Sequence, residues 1–363
     1  MLKKKKKLKI KKRYIVLLIL VFIIFLLYNP VKSIIQLKNR GYSFSSVMKI
    51  YKTGIKKDVL DKDYSKTLDN IITTDYYDEN KLEDYFNISY LEYDNFNDNI
   101  SKWLNLGYTS NDINKIYEYN NEELNNKVSE KYIKDITEYL SYNYFKIDKL
   151  DRYIAYFNGD YSDTIVKVNI GLDKPFYENP EIIKDYSIDV IVNKYNKLDS
   201  SFTPKDIVEL TKCSEKGHFL AMDAKNAYDE LCDASKKDGM SLGVTSSYRS
   251  YDDQKKIYDS YLKNNGQDYV NKYVAIPGYS EHQTGLALDV KSTLASPFKS
   301  TKEYKWMLDN SYKYGFILRY TTDNETMTGY SAEAWHFRYV GVEEAKYIHD
   351  NGISYEEYYA IFK

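Results

Sequence analysis

Histidine and cysteine are scarce: the 363-residue chain holds four histidines and two cysteines, with six prolines and three tryptophans. Two cysteines cannot staple a fold of this length, and a chain this long buries a core sufficient for two or three domains without metal or disulfide support. Neither Cys213 nor Cys232 shows metal-ligand spacing, and no HExxH segment is present, which excludes the most familiar zinc-peptidase helix. A bridge between these two cysteines would contribute about 3 kcal/mol by loop closure. The reading the sequence favours is instead a free Cys232, buried as a small hydrophobe on a helix.

Positive charge is missing from the body of the chain. The whole chain carries −1, and residues 1–32 contribute +10, which leaves −11 for the rest. That balance excludes nucleic acid as a partner, since such binding needs a basic footprint. Lys, Asn, Ile, Asp and Tyr are over-used in every segment alike, including 41 tyrosines. A bias so uniform carries little functional information.

The N-terminus departs from this pattern. Met1–Arg13 holds nine positive charges and no acidic residue, and YIVLLILVFIIFLLY (Tyr14–Tyr28) holds no charge. A basic flank before an apolar run places the N-terminus in the cytoplasm and the remainder outside. Fifteen residues span only about 22 Å as a helix, so the run must extend through Pro30 and Val31 to approach the hydrocarbon thickness. A cleaved signal peptide is the alternative, but NPVKS lacks a small-x-small cleavage pattern and no cysteine is nearby to take a lipid. We expect a single-pass signal anchor over residues 1–32, with everything after it exported.

Residues 33–160 read as helical and internally repeated. GYSFSSVMKIYK (Gly41–Lys52) recurs as GYTSNDINKIYE (Gly107–Glu118), and YFNISYLE (Tyr85–Glu92) as YFKIDKLD (Tyr144–Asp151). Two signatures in the same order imply a duplication of about sixty residues. In each copy a Ser or Thr after Gly-Tyr is placed to cap a helix with Val47, Ile50 and Tyr51, or Ile113, Ile116 and Tyr117, on its apolar side. Nothing in this module looks catalytic, and a spacer is its plainest use. Residues 161–187 form a linker in which DTIVKVNI (Asp163–Ile170) alternates as a strand does and GLDKPFYENP reads as a loop.

The last domain, 188–363, alternates helices and short strands irregularly, which favours an α+β fold. An amphipathic helix over HFLAMDAKNAYDELCDASKKDG presents Leu220, Ala224, Ala227, Leu231 and Ala234 on one face. A second helix starts at Ser250 and Asp253 with a capping-box pattern and stops before Gly266. Two of the four histidines in this domain sit beside lone carboxylates. In SEHQTGLALDV (Ser280–Val290) the strand period puts Leu286, Leu288 and Val290 on one face and Ala287 and Asp289 on the other. A carboxylate inside an apolar strand is costly to bury, and a cation relieves it. Gly278 and Gly285 flank His282 in a tight loop that brings the imidazole alongside. In EAWHFRYVG, Glu333 and His336 would face opposite ways on a regular strand, so a loop or bulge must place Glu333. Two histidines and one carboxylate leave a position open on a tetrahedral zinc, and an additional glutamate is what metal-assisted hydrolysis needs. His218 and His349, at a helix start and in a last turn, carry no such pattern.

Four ordered blocks, SSYRSYDDQ, GYSEHQTGLALDV, YGFILRY and TGYSAEAWHFRYVG, resemble the VanY-type D-alanyl-D-alanine carboxypeptidases, zinc peptidases that trim bacterial cell-wall stem peptides. The resemblance spans roughly Ile188 to Tyr358. It implies a small antiparallel sheet flanked by helices and one Zn2+ per chain on His282, Asp289 and His336. Glu333 matches the general base, and Arg249 the arginine that meets substrate near the scissile bond. Ser280 and Gln254 match positions that steady the site or substrate. Ala334 replaces the proline that many members carry there. The expectation is a membrane-anchored D,D-carboxypeptidase facing the cell wall, with peptidoglycan stem peptides as substrate. L,D-carboxypeptidases and peptidoglycan endopeptidases of the same fold are the alternatives, as is a wall-binding tether.

Overall fold

A computed structural model describes residues 12–363. The basic flank before them lies outside the described residues, and the chain divides into two compact units, Met1–Ser141 and Tyr142–Lys363. This division falls earlier than the sequence boundaries at 160 and 187.

Among the described residues, the first unit is built from helices joined by turns, with no strand. Its first helix, α1 (Lys12–Arg40), is the one helix among the described residues long and apolar enough, by length and composition, to cross a membrane. It runs nine residues past the expected end at Val31 and carries Pro30 inside, where the missing N–H costs one intrahelical bond. Packing explains the extension: the Tyr51 hydroxyl donates to the Pro30 carbonyl at 2.8 Å, and the Arg40 guanidinium donates to the carbonyls of Val59 and Leu60. Helix α2 (Phe44–Thr53) is capped by Ser43, which accepts from the Ser46 N–H, and α3 (Ser110–Tyr119) by Thr109 in a reciprocal capping box with Asp112. Val47, Ile50, Ile113, Ile116 and Tyr117 are buried as the apolar spacing requires.

The second unit mixes helix and sheet. The strand expected at Asp163–Ile170 is a helix, α4 (Tyr161–Asn169), because Asp160 caps it by accepting from the Asp163 N–H. Ile165 and Val168, three apart, are both fully buried, a spacing that fits the helical period once a cap fixes the start. The strand in this linker is β1 (Glu181–Ile183), parallel to β2 (Asn196–Leu198). A two-stranded antiparallel pair, β3 (Ile207–Glu209) and β4 (Phe219–Ala221), leads into α5 (Met222–Lys237). The amphipathic helix therefore begins four residues later than its sequence pattern, and Leu220 reaches the core from a strand. Cys213 and Cys232 form a disulfide, against the expectation of a free thiol. Cys232 is buried on α5 as expected, but the loop after β3 brings Cys213 against it.

The central sheet is antiparallel, in the order β5 (Leu242–Ser246), β6 (Ala287–Ser292), β8 (Glu333–Tyr339), β7 (Phe316–Tyr320). One face holds the core: Leu286, Leu288 and Val290 pack with Val244, Leu231, Phe316 and Phe337, each such side chain contributing about 1.5–3 kcal/mol on full burial. Helices α6 (Tyr251–Asn265) and α7 (Gln267–Tyr273) follow β5. The Ser250 hydroxyl caps α6 at the Asp253 N–H, as the sequence pattern predicts. The chain ends in α8 (Tyr355–Phe362).

Candidate metal centre and active-site cleft

Strand register brings the site together. Asp289 on β6 lies opposite His336 on β8, and both face away from the Leu-Leu-Val core. β8 carries two extra residues between the pairs Leu318–Phe337 and Tyr320–Glu333. That bulge lets Glu333 and His336 share one face, which a regular strand forbids. His282 sits in a 3-10 turn (Glu281–Thr284) closed by Gly285 at φ +70°, where a Cβ would meet Ile207 at 2.6 Å. Only glycine fits that corner.

Three ligand atoms converge, all within 4.8 Å of one another: His282 Nε2, Asp289 Oδ1 and His336 Nδ1. Asp289 Oδ1 is 3.4 Å from His282 Nε2 and 3.2 Å from His336 Nδ1. Outer contacts set both imidazoles. His282 Nδ1 lies 2.7 Å from the Ser247 carbonyl, so it carries the proton and leaves Nε2 a lone pair. His336 Nε2 lies 3.2 Å from the Glu281 carboxylate, which orients the ring so that Nδ1 faces Asp289. Asp289 Oδ1 is buried and has no hydrogen-bond partner. Two imidazole nitrogens, a carboxylate oxygen with no proton donor, and an adjacent second carboxylate are a donor set suited to zinc.

The electrostatics favour a cation at this point. Burial alone would raise the Asp289 pKa, but His282 and His336 outweigh it and hold the carboxyl well below the usual range. Burial and the Arg249 charge push His282 down to about 4. Burial opposes a charge on His336 too, yet the carboxylates of Asp289 and Glu281 on either side of its ring lift it to about 9. Glu333, with Oε2 3.8 Å from His336 Nδ1, is pushed up to about 7 mainly by burial, and Asp289 adds to the rise.

A cleft of about 340 Å³ opens over these groups. Arg249 lines it; burial lowers the guanidinium pKa, and Nε has no hydrogen-bond partner. Its Nη2 donates to Ser280 Oγ at 3.5 Å, and its backbone N–H donates to the His282 carbonyl at 3.2 Å. Gln254 also lines the cleft: Nε2 donates to the Ala275 carbonyl at 2.7 Å, while Oε1 is unpaired. All seven residues singled out in the sequence thus border one cavity. His218 and His349 lie elsewhere, the first near Ser247 Oγ, the second stacked on Tyr312.

Sequence reasoning missed the support beneath the site. Glu281 is fully buried and accepts from Arg319 Nε at 2.8 Å, Arg338 Nη1 at 3.2 Å and His336. Arg319 also forks onto Glu356 at 2.8 and 2.6 Å. Tyr320 packs its ring 4.8 Å from that of His336. The available signal was an arginine inside each of two apolar strands, FILRY and WHFRY, which demands a buried countercharge.

Two imidazoles and two carboxylates in this arrangement form a group that could hold a metal ion on an α+β scaffold. Comparison with known proteins specifies it further. The family model described as VanY, D-alanyl-D-alanine carboxypeptidase, matches residues 217–342. The carboxypeptidase-family protein YodJ of Bacillus subtilis (strain 168) is 40% identical over 210 residues, 55% of this chain and 74% of that protein. VanXYC of Enterococcus gallinarum, a bifunctional D-Ala-D-Ala dipeptidase and D-Ala-D-Ala carboxypeptidase, is 32% identical over 178 residues, 47% of this chain and 92% of its own. Among solved structures, the LdcB LD-carboxypeptidase is 41% identical with a TM-score of 0.48, over 51% of this chain and 91% of that one. The chain belongs to the VanY-type D-alanyl-D-alanine carboxypeptidase family.

Proposed function

We propose that this carboxypeptidase is a zinc-dependent D,D-enzyme that removes the terminal D-alanine of peptidoglycan stem peptides, with His282, Asp289 and His336 holding one zinc ion. The observation that carries this reading is the convergence of two imidazole nitrogens, His282 Nε2 and His336 Nδ1, on the buried Asp289 Oδ1. The D,D preference is supported by the D-Ala-D-Ala activity named for the family and for the Enterococcus gallinarum relative.

Zinc, when bound, supplies Lewis-acid polarisation and lowers the pKa of water to about 7. The protein does the rest. Glu333 takes a proton from the attacking water at its carboxylate and returns it to the leaving amine, so the proton count closes over one turnover. A carboxyl already lifted by burial is suited to both roles. Arg249 pairs with the substrate's terminal carboxylate or with the carbonyl as it gains negative charge. Ser280 holds the guanidinium, and the free Gln254 Oε1 offers an acceptor to a substrate N–H.

In this reading α1 anchors the chain in the cell membrane with the catalytic unit outside, facing the wall. The helices between are a duplicated spacer. Matching buried tyrosines support the duplication: the Tyr42 and Tyr108 hydroxyls accept from the backbone N–H of Ser65 and Ile133, and those of Tyr85 and Tyr153 from Asp78 and Lys146.

The test is Glu333→Ala. It should keep wild-type zinc content and lose about 10²–10⁴-fold in turnover. An ordinary rate in that variant removes Glu333 from the chemistry.

A further inference from the structure

Helix α6 leads away from the candidate metal centre along the cleft. Gln254, Ile257 and Tyr261, at i, i+3 and i+7, share one helix face and line the same cavity. At the helical rise, Tyr261 stands about 10 Å beyond Gln254. There the cleft ends in tyrosines. Tyr261, Tyr269 and Tyr273 are 43%, 36% and 47% exposed. The rings of Tyr261 and Tyr269 stack at 5.8 Å with planes 10° apart, and Tyr273 leans on Tyr269 at 5.0 Å. Such mutual stacking fixes the three rings against one another while each stays partly open to solvent. None of the three hydroxyls has a hydrogen-bond partner among the described residues.

A stem peptide has a fixed length on this ruler. Its terminal D-alanine leaves from the fourth residue, and the first residue is joined through its amine to a lactyl sugar. Three extended residues, one of them joined through its side-chain carboxyl, span upwards of about 10 Å, enough to reach along the cleft from the Gln254 end to Tyr261. A sugar presents a flat C–H face edged by hydroxyls, and exposed tyrosines present an apolar face with a polar tip. We propose that the Tyr261–Tyr269–Tyr273 group binds the sugar that carries the stem peptide, so that the enzyme acts preferentially on glycan-linked peptide. This inference rests on the carboxypeptidase reading above and names its substrate class.

The test compares kcat/KM of the detergent-solubilised full chain, loaded with zinc, for a disaccharide-linked pentapeptide and for the same pentapeptide without sugar. A preference of about tenfold for the linked form, equivalent to about 1.4 kcal/mol, is expected. Replacing Tyr261→Ala and Tyr269→Ala together should bring that ratio to about one, while Tyr269→Phe, which keeps the ring, should retain it. Equal kcat/KM in the wild type, or a ratio that survives the double replacement, overturns the proposal. Cleavage of neither peptide refutes the carboxypeptidase reading instead. Calorimetric binding of the two peptides then decides the sugar site alone: tighter binding of the linked form supports it, and equal binding overturns it.

Discussion

Replacing Glu281→Gln probes the support of the metal centre without touching a ligand. The carboxylate is fully buried and shared among Arg319, Arg338 and His336. Glutamine keeps the shape and removes the charge that balances two buried guanidiniums, while Glu356 still faces Arg319. Breaking a buried ion pair from one side costs about 3–5 kcal/mol, which for a unit of this size lowers Tm by about 6–20 °C. Loss of the carboxylate behind His336 also weakens metal binding by about 10–100-fold. The pH dependence has a definite sign. Burial alone would raise the Glu281 pKa, but Arg319 and Arg338 outweigh it and hold the carboxyl far below its ordinary 4.5. Its stabilisation is therefore present above pH 4.5 and is lost as pH falls from there towards the depressed folded value. Thermal melts from neutral to acid pH, with zinc competition at neutral pH, measure all three effects. A variant that melts and binds zinc like the wild type, with the same acid limb, refutes the reasoning.

Other predictions concern the ligands and the disulfide. His282→Ala and Asp289→Ala should each lower bound zinc well below one per chain, read as metal per mole of protein, whereas wild-type content in both would remove them as ligands. Cys213→Ser should destabilise the folded chain by about 3 kcal/mol, the value for a loop of this length, measured by denaturant titration under oxidising conditions. An unchanged midpoint would mean the bridge adds nothing beyond packing.

The candidate site was legible mainly through the four ordered blocks that resemble the VanY-type family, and in part through residue types out of place in their surroundings. Asp289 and His336 stand out as polar residues in apolar strands, His282 lies in the tight turn just before one, and the mismatch between Glu333 and His336 called for the bulge that β8 contains. The buried pairing of Arg319 and Arg338 with Glu281 joins residues some 40 to 60 apart in sequence, which local patterns do not reveal. Asp163–Ile170 was misread because Ile165, Val166 and Val168 satisfy both periods over so short a stretch, and the Asp160 cap decides. The end of α1 depends on Tyr51 and Arg40 binding backbone carbonyls across turns. Hydropathy alone places the end at the last apolar residue. The disulfide depended on where the loop after β3 delivers Cys213, a tertiary fact with no local signal.

The most direct measurement incubates the purified full chain with pentapeptide and tetrapeptide muropeptides, with and without a chelator, and reads the products by mass spectrometry. The account predicts loss of one alanine from the pentapeptide, abolished by chelation and restored by zinc, with the tetrapeptide left intact. Release from the tetrapeptide alone would contradict the D,D assignment, and release that survives complete removal of metal would contradict the metal centre itself.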